Sequence, residues 1–215
     1  MTTQRHYTLL DKLCLGFDQA MRTLANQAQS SGELFPAAQV AEEPMSDAER
    51  KHAAGLMRVN HAGEVCAQAL YHGQGAASSN CTLQAQMEQA ALEEGDHLNW
   101  CKQRLDELSS HTSYLNPLWY AGSFCIGLTA GMIGDKWSLG FVVETERQVI
   151  KHLSSHIALL PAQDQRSQQV LARMESDEAR HRDVAVEAGA HELPRPVKRV
   201  MGWVSRVMVK TAYYL

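Results

Sequence analysis

Glu178-Ala179-Arg180-His181 and Glu94-Gly95-Asp96-His97 are one Glu-x-x-His phrase written twice, with both members recurring at an offset of 84 residues (178 − 94 and 181 − 97). On an α-helix, side chains three residues apart share a face, so each tetrapeptide aims a carboxylate and an imidazole at one point. Two such tetrapeptides turned toward each other can hold two metal ions. A single Glu-x-x-His is common on solvated helices, so the reading depends on what surrounds the pair.

Each phrase is preceded by a helix that carries a glutamate on its apolar face. Glu64 stands 30 residues before Glu94 and Glu146 stands 32 before Glu178, which suggests two helical hairpins related by a pseudo-twofold axis. Helical phase chooses between neighbouring candidates. Glu146 lies in register with Val142, Val143, Val149, Ile150 and Leu153, whereas Glu144 shares its face with Arg147, Gln148 and Lys151 and reads as a solvated charge. Glu94 likewise falls with Met87, Ala90, Ala91, Leu98 and Cys101, and Glu178 with Leu171, Met174 and Ala185. Glu93 aligns with Gln86, Gln89 and Asp96 and reads as solvent-facing. Ionised carboxylates at core positions are expensive unless they are paired or bind metal, and no Lys or Arg occupies the stripes around Glu94 and Glu146. Four glutamates and two neutral imidazoles balance two divalent cations. A carboxylate-rich donor set with one histidine per ion and no thiolate suits iron or manganese better than zinc.

Working outward, Leu10, Leu13, Cys14, Phe17, Met21 and Leu24 predict an amphipathic helix from about Thr8 to Gln27, whose apolar stripe needs a packing partner. Ser30 to Pro44 reads as a linker. Ser46 and Glu49 form a Ser-x-x-Glu capping box that starts the Glu64 helix, which runs to about Gly73 with small residues Ala62, Gly63 and Ala67 beside the glutamate for close helix approach. Further helices are expected over 82–108, 137–159 and 164–189, with Pro161 ending the third. No segment alternates with period two, so the fold class is all-α. Between the hairpins, Tyr114 to Gly134 contains no Asp, Glu, Lys or Arg, but Asn116, Pro117, Ser123 and four glycines make it a poor membrane span and a better crossover. From Val197 onward, Val200, Met201, Val204, Val207 and Met208 form a stripe flanked by Lys198, Arg199, Arg206 and Lys210, with Trp203, Tyr213 and Tyr214. This pattern suits a helix lying on a membrane surface.

A chain of 215 residues supports one domain, here divided into an N-terminal helix and linker (1–45), a four-helix core (46–190) and a C-terminal helix (195–215). The formal net charge of -4 gives no electrostatic case for nucleic acid. Five cysteines without a Cys-x-x-Cys pair fit free thiols in a reducing compartment, and Met1 to Tyr7 lead into an amphipathic rather than a uniformly apolar segment, unlike a secretory signal.

In order along the chain, Asn60-His61-Ala62-Gly63-Glu64, Glu94-x-x-His97, the Pro117-Leu118-Trp119 crossover, Glu146 and Glu178-x-x-His181 resemble the demethoxyubiquinone hydroxylase family of ubiquinone biosynthesis. That family lies within the ferritin-like di-iron carboxylate proteins, and the resemblance runs from about Ser46 to the C-terminus. It implies a ferritin-like four-helix bundle with a long crossover, and a di-iron monooxygenase that hydroxylates the ring of a demethoxyubiquinol with O2 and a reductant, NADH or reduced quinone. Glu64, Glu94 and His97 are expected to serve one iron and Glu146, Glu178 and His181 the other, with Glu94 and Glu178 bridging. The implied setting is peripheral, at the cytoplasmic face of the cell membrane, with a polyprenylated quinol as substrate and a homo-oligomer or a ubiquinone-biosynthesis complex as assembly. Tyr71 follows Glu64 by seven residues as in many ferritin-like sites, but Leu153 takes that place after Glu146. His152 and His156 are open to two readings, as redox-relay residues or as partly exposed helix-edge histidines. The competing functions are another ferritin-like di-iron oxidase or peroxidase, and a metal-free helical adaptor on a membrane surface.

Overall fold

A computed structural model describes residues 8–78 and 80–215; Met1 to Tyr7, on which the signal-peptide reading rests, and the side chain of Leu13 lie outside the described residues. Among the described residues there are seven α-helices and no strand: α1 (Leu9–Leu24), α2 (Asp47–Ala77), α3 (Cys81–Glu107), α4 (Asn116–Ile133), α5 (Asp135–Leu159), α6 (Gln165–Glu187) and α7 (Arg195–Tyr214). The Ser46 capping box forms in both directions. Glu49 N–H donates to Ser46 Oγ at 3.3 Å and Ser46 N–H to Glu49 Oε2 at 2.8 Å, satisfying two amides at the start of the longest helix. α5 ends at Leu159, with Leu160, the residue before Pro161, as its C-cap, as a proline-induced stop requires.

α2 packs along α3 and α5 along α6, while α3 and α6, and α2 and α5, approach less closely. The two hairpins therefore face each other across a gap. The crossover is itself a helix, α4, laid on the outside of α2. Glycine makes that contact: a Cβ at Gly127 would stand 2.2 Å from the Leu70 carbonyl oxygen, and one at Gly73 would stand 2.4 Å from that of Phe124. Gly63, expected to serve such an approach, has open space where its Cβ would be. None of the described helices is long and apolar enough to cross a membrane.

The segment between α1 and α2 straps the bundle. Asn26 adopts φ 56°, and its Oδ1 accepts from His61 Nε2 at 2.6 Å. The Gln29 carbonyl passes so near Gly95 that a Cβ there would lie 1.9 Å away. Asp96 then takes the Ser31 and Gly32 amides at 3.1 Å each. Further on, fully buried Arg104 joins Glu42 of the strap to Asp164 of the α5–α6 turn and Ser167 in the first turn of α6. α1 departs from expectation: Leu10 and Phe17 are each 69% exposed, and among its described side chains Ala20 and Leu24, in the C-terminal part, pack against the core. At the other end α7 is half docked. Ala212 is fully buried, Tyr213 Oη bonds His52 Nδ1 at 2.6 Å, and Arg58 Nη1 donates to the Tyr213 carbonyl at 2.8 Å. Val200, Trp203, Val204 and Val207 on its opposite face stay exposed.

Candidate metal centre

In the gap between the hairpins, α2 contributes Glu64, α3 Glu94 and His97, α5 Glu146, and α6 Glu178 and His181. All six are buried. They form two overlapping groups, Glu64, Glu94, His97 and Glu178, and Glu94, Glu146, Glu178 and His181. In each group one donor atom per residue lies within 4.8 Å of the others, and Glu94 and Glu178 belong to both. His97 Nδ1 stands 3.3 Å from Glu94 Oε2 and 3.1 Å from Glu178 Oε1. His181 Nδ1 stands 3.3 Å and 3.4 Å from the other oxygens of the same two carboxylates.

The donor atoms test whether this cluster suits metal. Both oxygens of Glu94 and of Glu178, Glu146 Oε2, and Nδ1 of both histidines are buried without a hydrogen-bond partner, although buried polar atoms are almost always satisfied. No Lys or Arg pairs with any of the four glutamates among the described residues. With protons as the only cations, burial and then the Glu94 charge push Glu64 well above the usual carboxylate range, and burial and the Glu178 charge do the same to Glu146. Burial also opposes ionisation of Glu94, but the close approach of the His181 and His97 imidazoles outweighs it and holds that carboxyl low. Glu178 is held low in the same way, against burial and the Glu94 charge. Burial would lower both imidazoles, yet the surrounding carboxylates hold His97 well above 6.5 and His181 at about 12. Four protons, two on glutamates and two on imidazoles, thus neutralise four carboxyl groups. Two divalent cations supply the same charge and fill the orphaned valences, so the donor set can hold metal.

The outward nitrogens reveal two residues that phase analysis missed. His97 Nε2 meets Asp177 Oδ2 at 3.3 Å, and His181 Nε2 meets Glu93 Oε2 at 2.7 Å. Each acidic residue precedes the inward glutamate of its own helix but supports the histidine of the opposite helix. The interactions cross between hairpins, and such partners fix ring orientation and tautomer. Glu93 and Asp177 are again 84 residues apart, a signal available in the sequence. Arg180 ties them together, with Nη2 3.0 Å from Glu93 Oε2 and 3.1 Å from Asp177 Oδ1. The solvated reading of Glu93 is therefore corrected to a half-buried carboxylate bonded to His181.

Glu144 also departs from expectation. It is 7% exposed, bonded to Arg147 at 2.6 Å and Gln148 at 2.9 Å, with Lys198 of α7 3.8 Å away. It remains outside the centre, because its charge is matched locally. Tyr71 donates to Glu146 Oε1 at 2.6 Å, so the tyrosine that follows Glu64 serves the opposite hairpin, while Leu153 sits in the apolar core. His156 is buried and bonds Asn60 Oδ1 at 2.8 Å; His152 bonds Ser205 of α7 at 3.0 Å. Both have structural partners. His61 of the Asn-His-Ala-Gly-Glu phrase points away from the centre, to Asn26 and Asn116.

Residues 51–212 match the family model described as "Ubiquinone biosynthesis protein COQ7". The chain belongs to this family. A COQ7-family relative from Acinetobacter baumannii, named 3-demethoxyubiquinol 3-hydroxylase, is 54% identical over 211 residues, covering 98% of this chain and 100% of the relative. A protein of that name from Nitrosococcus oceani is 51% identical over 211 residues, covering 98% and 99%. One from Polynucleobacter necessarius is 54% identical over 204 residues, covering 95% and 98%. The COQ7 match takes in the whole six-residue cluster and its crossed carboxylates.

Proposed function

We propose that this chain is a 3-demethoxyubiquinol 3-hydroxylase of ubiquinone biosynthesis, a di-iron monooxygenase acting on a polyprenylated quinol. The observation that carries the metal part is the pair of overlapping buried groups sharing Glu94 and Glu178, with their unpartnered donor atoms. Near-full-length similarity to relatives of that name supports the reaction.

In this reading Glu64, Glu94 and His97 would hold one iron and Glu146, Glu178 and His181 the other, with Glu94 and Glu178 within reach of both. Iron held there would supply the redox chemistry that activates O2. Overall, one oxygen atom would enter the ring and the other would leave as water, the net two electrons and two protons coming from NADH or reduced quinol. The protein supplies position and dryness. Glu93 and Asp177 hold the two imidazoles in the orientation that turns Nδ1 inward, and Tyr71 holds Glu146. Beside Tyr71 and His181 opens a mainly apolar cavity of about 210 Å³, walled by Met87, Leu139, Val142 and Val184, which suits an aromatic ring.

The quinol tail belongs in a bilayer, and the exposed apolar residues of α7, flanked by Arg199, Arg206 and Lys210, support a peripheral position on the cytoplasmic face of the cell membrane. The test of the whole reading is anaerobic loading with Fe(II), then O2 and a short-chain demethoxyquinol, with mass analysis of the product. Expected are about two iron ions per chain and a product heavier by one oxygen atom. Loaded protein that leaves the quinol unchanged would overturn the reading.

A further inference from the structure

All six donors are buried, so an ion must reach them through one of the openings beside the centre. Two cavities meet at a common wall of Gln89, Glu93 and Arg180. On the apolar side, past Met87, Leu139 and Val142, a hydrated dication would lose water with little in return. The other cavity, about 400 Å³ between the strap, α3 and α6, is polar. Its wall carries Glu33, Glu93, Asp96 and Asp177 against Arg173 and Arg180, an excess of two negative charges. At its floor lies His97, 1% exposed, whose Nδ1 is unpartnered in the metal centre and whose Nε2 bonds Asp177.

From this geometry we propose that the polar cleft is the loading port for hydrated Fe(II), with Glu33 of the strap as its outermost carboxylate, and that the apolar cavity is left to the quinol. The inference rests on the metal-binding reading of the six-residue cluster. Glu33 is tied to Arg173 at 2.8 Å, and Arg173 Nε reaches Asp177, also at 2.8 Å, so a chain of charge runs from the rim to His97. An arriving cation competes with the Arg173 guanidinium for Glu33 and then for Asp177, and is passed inward by carboxylates. Arg173 and Arg180 neutralise those carboxylates until the ion arrives. Charge at the rim therefore sets the entry rate, while the six donors set the final affinity.

The test uses full-length apo protein, Co(II) as the probe and stopped-flow absorbance as the readout, so that no turnover is needed. Glu33→Gln is expected to slow Co(II) uptake about threefold and Glu33→Lys about tenfold, with the final Co(II) content unchanged and the effect weakened by salt. Arg173→Gln, which removes a positive charge from the same mouth, is expected to speed uptake. A purely structural Glu33–Arg173 pair would move both rates in the same direction, and that result would overturn the port. Val184→Phe, on the exposed rim of the apolar cavity, should leave uptake unchanged; slower uptake there, with Glu33 variants at wild-type rates, would place the route on the apolar side instead. Protein that binds no Co(II) at all would defeat the metal-binding reading itself, which separates the two failures.

Discussion

His61 gives a stability prediction whose size follows from its surroundings. The ring is fully buried, Nε2 donates to Asn26 Oδ1 at 2.6 Å and Nδ1 accepts from Asn116 Nδ2 at 3.4 Å, so both nitrogens are committed in the neutral form. Burial first, and the charge of Lys102 second, lower it from 6.5 to about 3. In the unfolded chain it titrates near 6.5. Above that value neither state carries the proton and there is no penalty; between about 6.5 and about 3 the unfolded chain holds a proton that the native state excludes, so stability falls with falling pH. The slope approaches ~1.4 kcal/mol per pH unit. Between pH 7 and pH 5 the loss from this one group is ~2 kcal/mol. His61→Gln keeps a donor for Asn26 but cannot titrate. Its unfolding free energy, measured by urea denaturation of the metal-free protein, should lie below that of the wild type at pH 7, and the deficit should shrink by ~2 kcal/mol at pH 5. The other groups titrate in both proteins and cancel in the difference. A deficit equal at the two pH values would show that His61 is not held neutral, and the reasoning would fail.

Four further outcomes are expected. Glu178→Ala removes a shared donor of both groups and should abolish hydroxylation while circular dichroism still reports a helical protein; full activity would contradict the assignment. Asp177→Asn and Glu93→Gln should each weaken metal binding by roughly 10- to 100-fold in a chelator competition, because each frees one imidazole to turn. Wild-type affinity in both would remove the crossed pairs from the centre. Gly127→Ala sets a methyl group against the Leu70 carbonyl and should destabilise the fold by about 1–3 kcal/mol, read as a lower Tm; an unchanged Tm would mean that α4 does not seat where described. Finally, Trp203→Glu with Val207→Glu alters only the exposed face of α7 and should abolish pelleting with anionic vesicles. This pair is preferable to removing α7, whose end is bonded to α2 through Tyr213, and undiminished pelleting would count against a membrane role for that face.

What could be read from the chain was whatever repeats along a single helix. The Glu-x-x-His spacing, the apolar register of Glu94, Glu146 and Glu178, the Ser46 capping box and the proline after α5 are local, because helical periodicity and backbone hydrogen bonding determine them within a few residues. The all-α class and the two hairpins followed directly. Residues whose environment is made by another element escaped the same logic. Glu144 looks solvated on its own helix but is buried, with Lys198 of α7 3.8 Å away. Leu10 and Phe17 look like a packing face and are left exposed among the described residues.

Phase picked out Glu94, Glu146 and Glu178 and the Glu-x-x-His spacing added His97 and His181, but only the tertiary structure decides that these and Glu64 converge. The opposed hairpins bring donors from four helices within bonding range of one another and give Glu94 and Glu178 to both groups. It also decides what stands behind them. A helical wheel assigns Glu93 and Asp177 to the faces of their own helices, whereas their partners, His181 and His97, lie across the bundle. Tyr71, too, serves a glutamate 75 residues away rather than the one a turn or two earlier. Sequence by itself determined the Glu-x-x-His spacing and the apolar register of Glu94, Glu146 and Glu178, since those are properties of one helix; which other faces are covered, and which atoms the donors meet, depends on how the helices are set against one another, and no single helix contains that information.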